Sequence, residues 1–146
     1  ELEEAVNYYE KVLHLDSDYE GVHYNMAVAL EKQGQIEAAT EKYSKALALN
    51  PKKADAHYRL GNIFYKSGDL NKAVDHYTAT LKIRPDFSKA HFNLGVVYYK
   101  KGDIGAAEAS FRDAIKADPN LGIAKRYLRQ LTESVENKGK LDSGEN

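Results

Sequence analysis

Histidine is the residue type whose spacing in this chain first suggests chemistry. His23, His57 and His91 recur at a period of about 34 residues. An imidazole can bind a metal ion or carry a proton near neutral pH. Equivalent residues of successive helical units should lie about 10 Å apart, whereas zinc ligands lie about 2.0–2.1 Å from one shared ion. We therefore expect core or semi-buried histidines and no metal site. His14 and His76 fit no pairing pattern.

The other groups that could react show no catalytic arrangement. No spacing of serine, threonine, aspartate or glutamate suggests a nucleophile with a neighbouring base and an oxyanion site. The chain has no cysteine, which excludes a thiol nucleophile, a disulfide and a thiolate metal site. We therefore predict a protein that is not an enzyme and that needs no cofactor.

Charge and hydropathy exclude two classes of partner. The formal net charge is -1, so the chain has no general attraction to phosphate backbones or anionic membranes. Aromatic residues would suit nucleic acid, but the basic excess that usually accompanies them is missing. No apolar run of about 18 residues is present, as a membrane span would require. We predict no nucleic-acid partner, no membrane partner and, since cysteine is absent, a cytoplasmic location.

The periodic histidines belong to a longer repeat with three full copies, at residues 20–53, 54–87 and 88–121. In each copy the apolar residues follow two helical periods. A glycine separates the two predicted helices, and a proline ends the second because the residue before proline avoids helical geometry. The first helices are expected at 21–33, 55–67 and 89–101. The equivalent glycines and prolines are Gly34, Gly68, Gly102, Pro51, Pro85 and Pro119.

The ends of the chain depart from this pattern. Residues 1–19 align with the second helix of a copy whose first helix is missing, so we expect an excised piece of a longer protein with apolar surface uncovered here. Residues 122–136 begin like a fourth copy, but Arg129 stands where Ala27, Gly61 and Gly95 stand in the others. This pattern predicts a capping helix, followed by a disordered tail at 137–146.

The stretch YRLGNIFYKSGDLNKAVDHYTATLKIRP resembles the tetratricopeptide repeat (TPR) family. The residues that carry the resemblance are Leu60, Gly61, Phe64, Gly68, Asp69, Ala73, Tyr77 and Pro85. It covers roughly residues 1–136, with histidine replacing the frequent tryptophan of the family in each copy. The resemblance implies an all-α fold, a right-handed α-solenoid of helix-turn-helix hairpins whose first helices line a concave groove.

One face of each first helix is richer in binding groups than packing requires. In the middle copy His57, Leu60 and Phe64 cluster on one side, and the aromatic and hydrogen-bonding residues lie nearly opposite. Aromatic rings supply rigid contact area, amides can bond a peptide main chain, and cations can hold carboxylates. We call this set the candidate groove: Tyr24, Asn25, Lys32, Tyr58, Arg59, Asn62, Tyr65, Lys66, Lys89, Phe92, Asn93, Tyr99 and Lys100. The same residues also fit the common concave face of the family, with no special ligand.

The family also suggests two sharper modes of binding. The place of Asn25 and Asn93 resembles the asparagine ladder with which some TPR superhelices grip extended peptides, although Arg59 interrupts it. The carboxylate clamp of chaperone-binding relatives is matched only in part, since Tyr58 stands where one register needs lysine and Asp55 where another needs a basic residue.

We therefore interpret the chain as a non-catalytic protein–protein interaction scaffold that binds a peptide segment of a partner. The basic residues favour an acidic or carboxylate-bearing ligand. Two alternatives remain open. One is the substrate- or partner-recruiting TPR arm of a larger enzyme such as a glycosyltransferase. The other is self-association through residues 1–15, where Leu2, Val6 and Tyr9 lack a covering partner.

Overall fold

The computed structural model describes residues 1–15 and 19–143; residues 16–18 and 144–146, and the side chains of residues 138–143, lie outside the description. Every regular element in the described ranges is an α-helix, as the sequence predicts. The helices are α1 (Leu2–Leu15), α2 (Glu20–Lys32), α3 (Ile36–Leu49), α4 (Ala54–Ser67), α5 (Leu70–Ile83), α6 (Ser88–Lys101), α7 (Ile104–Ala117) and α8 (Gly122–Ser143).

The repeat folds as three helical hairpins, α2 with α3, α4 with α5, and α6 with α7. The glycine between the two helices has φ between 78° and 85° in each copy, at Gly34, Gly68 and Gly102. This left-handed geometry costs a residue with a side chain more than it costs glycine, so glycine ends the helix and reverses the chain. The predicted helix-turn-helix pattern is confirmed.

The second helices differ in how their first turn is capped. Oδ1 of Asp69 accepts a hydrogen bond from the Lys72 backbone N–H at 3.1 Å, and Oδ1 of Asp103 accepts one from Ala106 at 3.0 Å. Each bond satisfies a donor that the helix leaves unpaired. Gln35, the equivalent residue before α3, makes no capping bond with its side chain. The two aspartates therefore cap the helices that follow them, whereas α3 begins without a side-chain cap.

The chain divides into two compact units, Glu1–Arg84 and Pro85–Asn146. A core cluster of the first unit draws residues from both of its hairpins, and its largest fully buried side chains include Tyr43 and Leu60. Helix α1 packs against the edge of this cluster through Val6, Tyr9 and Leu13. The prediction that Val6 and Tyr9 lack a covering partner is therefore wrong, because the first hairpins of the chain partly cover them. None of the residues of α1 is itself buried.

In the second unit α8 closes the hairpin of α6 and α7. Leu131 is buried together with Phe111, while Tyr127 packs beside them at an aromatic distance of 5.6 Å from Phe111. Arg126 and Arg129 lie on the exposed side. The helix continues to Ser143, past residue 136 where the apolar pattern placed its end, so 137–143 are helical rather than a disordered tail. The rest of that predicted tail, residues 144–146, lies outside the described residues.

The three periodic histidines lie at the start of the first helices, where they are buried or half-buried as expected. His23 is buried, whereas His57 and His91 are half-buried. In the two later copies Nε2 of the ring lies close to the carbonyl oxygen of the preceding proline, at 3.2 Å for Pro51 and 2.8 Å for Pro85. The histidine thus ties the first helix to the loop that precedes it.

Candidate functional site

The candidate groove residues of the first unit project from α2 and α4. The aromatic members Tyr24, Tyr58 and Tyr65 are half-buried, as are Arg59 and Asn62. The remaining members of this unit lie on the exposed surface and are Asn25, Lys32 and Lys66. The face therefore combines a partly desolvated centre with exposed amide and ammonium groups, a pattern that resembles the centre and rim of a protein interface.

A buried tyrosine fixes the polar centre of this face from below. The Tyr43 hydroxyl, on a ring with no exposed surface, donates a hydrogen bond of 2.7 Å to Oε2 of Glu31. The same carboxylate oxygen lies 3.5 Å from Nη1 of Arg59. Burial raises the pKa of the Tyr43 phenol, and the hydrogen bond and charge of Glu31 raise it further. The phenol therefore stays neutral and donates the hydrogen bond. The carboxylate of Glu31 partly balances the positive charge of Arg59.

The next hairpin repeats this device with a different partner. The Tyr77 hydroxyl donates a hydrogen bond of 2.7 Å to Oδ1 of Asn62. Its ring lies 6.0 Å from that of Tyr58, measured between centroids. Because the bond occupies the amide oxygen of Asn62, it turns the amide N–H groups of that side chain away from Tyr77. The buried ring thus orients a candidate groove residue.

A lysine outside the predicted set also reaches this face. Nζ of Lys53 lies 4.8 Å from the centroid of the Tyr24 ring and 3.0 Å from Oε1 of Glu20. The Tyr24 ring in turn lies 5.7 Å from that of Tyr43. Lys53 immediately precedes α4, so this contact connects the start of one first helix with the face of the preceding one.

The second unit carries its own share of the candidate groove on α6. Phe92 packs against Phe111 and Tyr127, at centroid distances of 5.7 and 5.3 Å, so it belongs largely to the core of this unit. Asn93 is half-buried, whereas Lys89 and Lys100 are exposed. Tyr99 exposes 50% of its surface. Tyr99 is therefore the aromatic residue of this helix that is available for contact.

A contact between two histidines was not predicted from the sequence. Nδ1 of His57 on α4 lies 3.1 Å from Nδ1 of His76 on α5. The sequence comparison passed over His76 because the equivalent positions hold Lys42 and Ser110, so the repeat carries no sign of it. In the part of the chain that the structure describes, no group of three potential metal ligands is present.

A surface cleft of about 410 Å³ in the second unit lies outside the candidate groove. Its lining residues are Pro85, Asp86, His91, Asp113, Lys116 and Ala117. Nε2 of His91 is taken by the Pro85 carbonyl at 2.8 Å. The cleft combines charged groups of both signs without a nucleophile beside a base, so it has no arrangement that indicates catalysis.

Comparison with known protein families accounts for the repeat. A family model described as TPR repeat matches residues 1–34, 30–68 and 61–102, and one described as tetratricopeptide repeat matches residues 88–121. The chain belongs to the tetratricopeptide repeat family. The TPR repeat is typically a non-catalytic interaction module. Membership of this family makes the chain a protein-interaction scaffold.

Solved structures support the same fold. One described as "Crystal structure of MamA" has a TM-score of 0.79 at 21% identity, over 95% of this TPR chain and 91% of that one. "MamA RS-1 ArsTM double mutant" has a TM-score of 0.86 at 21% identity, over 93% and 76%. "Crystal structure of MamA protein" has a TM-score of 0.75 at 29% identity. The match covers 81% of this chain and 64% of that one. These likenesses show a helical-repeat fold.

The search of curated proteins found no match. Among the described residues, no helix combines the length and apolar character needed to span a bilayer.

Proposed function

We propose that this TPR chain is a non-catalytic scaffold that binds a peptide segment of a partner protein on the candidate groove. The observation that carries the proposal is the pair of buried hydroxyls under this face. Tyr43 holds Glu31, and Tyr77 holds Asn62, at 2.7 Å each. Side chains that are already held in place lose less conformational freedom when a ligand binds, so more of the contact energy becomes affinity.

The charge of the face favours an acidic or carboxylate-bearing segment. Lys32 and Lys66 are exposed on α2 and α4, so each can bind a carboxylate of the ligand without first leaving the protein interior. Arg59 contributes less net charge than its type alone suggests, because Glu31 lies 3.5 Å from its guanidinium group. The preference for acidic ligands therefore depends mainly on the lysines, and it should weaken as salt screens them.

A double substitution tests the proposal. Peptides are selected from a random phage-displayed library on the wild-type protein, and the best binder is titrated calorimetrically. We expect Arg59→Ala with Asn62→Ala to weaken this peptide at least about tenfold, which corresponds to about 1.4 kcal/mol, because both groups lie at the centre of the face.

The matched control removes one cation and one amide from the second helices, as Lys45→Ala with Asn71→Ala. Both side chains lie on exposed positions of α3 and α5, and this variant should bind like the wild type. Circular dichroism confirms that both variants are folded. If the groove variant binds the peptide as tightly as the control variant does, the groove assignment is wrong.

A second candidate function is self-association through α1. This helix has no buried residue, and several of its large apolar side chains are exposed: Leu2 by 40%, Tyr8 by 63% and Leu15 by 87%. Apolar surface of this kind gains free energy when another chain covers it. A second copy would then bury the outer face of α1.

A further inference from the structure

The contact between His57 and His76 has the geometry of a shared proton. The two Nδ1 atoms are 3.1 Å apart, and the ring centroids are 5.4 Å apart. The centroid distance exceeds the nitrogen distance by about two ring radii, which places both nitrogens near the line between the rings. Each Nδ1 therefore points at the other, as a hydrogen bond requires.

The loop before α4 determines which histidine donates. Nε2 of His57 lies 3.2 Å from the carbonyl oxygen of Pro51. A carbonyl can only accept, so Nε2 of His57 carries the hydrogen and its Nδ1 presents a lone pair. Nδ1–H of His76 then donates to it. The neutral pair is thus hydrogen-bonded in one defined tautomer.

The distance suits a proton better than a metal ion. Because the two Nδ1 atoms point at each other, an ion held by both lone pairs would lie on the line between them and, at about 2.0–2.1 Å from each, would need them about 4 Å apart. The observed separation is 3.1 Å. No third potential ligand joins the two rings among the residues that the structure describes.

The surroundings of His76 disfavour a second charge. The Phe64 ring stacks on His76 at 5.4 Å with an interplanar angle of 13°. Burial lowers the pKa of His76, and the neighbouring charges of His57 and Lys72 lower it further, while Asp75 acts in the opposite direction. Nζ of Lys72 lies 5.0 Å from the Phe64 ring, so this cation belongs to the same cluster.

We propose that His57 and His76 form a proton-sharing pair that holds α4 against α5, accepts one extra proton and opens when it must take a second. With one extra proton, His57 becomes the charged ring: its Nδ1–H donates to Nδ1 of His76, whose own hydrogen moves to Nε2. This bond is charge-assisted, which strengthens it. With two, both Nδ1 atoms carry hydrogens and both rings carry positive charge at 3.1 Å. The contact is then repulsive, so acid loosens the hairpin that carries Arg59 and Asn62. This proposal does not depend on the identity of any ligand.

The sign of the pH effect follows from the two states of the chain. In the unfolded chain each histidine titrates near its usual pKa of about 6.5. In the folded chain the pKa of His76 lies below its ordinary value of 6.5, so the unfolded state binds more protons in acid. The stability that depends on the uncharged His76 ring is fully present above about pH 6.5 and is lost as the pH falls through the lowered pKa of His76.

The test compares the pH dependence of unfolding in three proteins. Urea unfolding is followed by circular dichroism between about pH 7.5 and 5. In His76→Asn the side-chain amide can still donate a hydrogen bond to Nδ1 of His57, but it does not take up a proton in acid. We expect the wild-type unfolding constant to rise more steeply in acid than that of His76→Asn, with an excess of up to about tenfold per pH unit. An equal slope in both proteins overturns the proposal.

The control is His91→Gln, in which the amide group preserves a donor to the Pro85 carbonyl. His91 has no imidazole opposite it, because Ser110 occupies the position of His76 in this copy. This variant should keep the wild-type slope.

A direct measurement covers the case in which His76→Asn does not fold. NMR titration of the histidine rings in the wild type should show the His76 ring titrating below pH 6.5. In His57→Asn its pKa should rise, because the like charge is removed. If both rings titrate independently near 6.5 in the wild type, the proposal is wrong.

Discussion

At the scale of single residues, the approach of the two helices in a hairpin depends on small residues opposite a buried ring. A Cβ atom at Gly61 would lie 2.7 Å from Cε1 of Tyr77, and one at Gly95 would lie 2.7 Å from Phe111. Both rings are almost completely buried and cannot swing into solvent. The space above each ring is therefore available only to glycine unless the ring or the helix moves.

We predict that Gly61→Ala destabilises the protein by about 1 kcal/mol. Overpacking a filled core costs about 1–3 kcal/mol, and alanine returns up to about 1 kcal/mol through its higher helix propensity. The cost should lie toward the lower end, because Ala27 occupies the equivalent position in the first hairpin beside Tyr43. The free energy of unfolding in urea measures the difference.

Gly105→Ala in α7 is the control for this prediction. The nearest atom to its added Cβ is Oδ1 of Asp103, 4.0 Å away, so the gain in propensity is opposed by no clash. This variant should be as stable as the wild type or more stable. A Gly61→Ala protein that is stabilised to the same extent would show that the hairpin accommodates the methyl group freely.

The residue scale is also where prediction from the sequence is weakest. In the repeat, Tyr43 and Tyr77 share an aromatic position, but only the structure shows that their hydroxyls emerge beside Glu31 and Asn62. Comparison of the repeats shows an aromatic position occupied by Tyr, Tyr and Phe. It does not show which polar group lies beside the hydroxyl of each tyrosine. The contact of His57 with His76 was missed for a related reason, since it occurs in one copy alone.

At the scale of elements, α3 begins without the side-chain cap that α5 and α7 possess. Gln35 instead donates from Nε2 to Oε1 of Gln33, an exposed contact of 2.8 Å. We predict that Gln35→Asp stabilises the protein by about 0.5–1 kcal/mol, because the shorter carboxylate can accept from the backbone N–H groups of the first turn. Thermal and urea unfolding would both report the gain.

The matched control for the cap is Gln35→Glu. It introduces the same negative charge near the helix N-terminus, where the dipole favours it, but its longer side chain is a poor cap. A stabilisation that is equal in the two variants would mean that charge alone acts there. Conversely, Asp103→Ala removes an existing cap and should cost about 1 kcal/mol.

The bounds of most helices follow from the sequence because glycine and proline mark them physically. The predicted first helices differ from the observed ones by a residue or less at each end, as for 55–67 against Ala54–Ser67. Helix α8 is the exception, since it continues to Ser143. The loss of the apolar pattern after residue 136 shows only that packing ends there. No proline follows to stop the backbone, and a lone glycine costs a helix only about 1 kcal/mol.

At the scale of the whole molecule, the proposed self-association depends on the exposed apolar surface of α1. If a second copy covers this helix, the molar mass from static light scattering should rise with protein concentration. Tyr8→Asp with Leu15→Asp should hold the mass at that of a monomer, because two charges would have to be desolvated in the contact.

Leu49→Asp with Ile123→Asp is the matched control for self-association. Both of these side chains are 42% exposed and lie on other helices, so this variant should associate as the wild type does. A wild-type mass that stays constant across the concentration range contradicts self-association through α1.

The fold of the whole molecule could be predicted from the sequence, whereas its ligand could not. Three aligned copies of glycine, proline and small residues dictate the hairpins, and the family models match the same stretches. The candidate groove could be placed only by its helical face, because the residues that would read a ligand vary from copy to copy, as Asn25, Arg59 and Asn93 do. Fold alone does not determine a partner.

The close fit of Gly61 over Tyr77 has a consequence for protein engineers who rearrange repeats. Helix α4 has been shaped against the ring of α5, as α6 has against α7, so a first helix and its own second helix form one exchangeable cassette. Chimeras that swap complete hairpins should preserve the fit. A chimera that joins the first helix of the first copy, with Ala27, to the second helix of a later copy should bring a methyl group into collision with the ring.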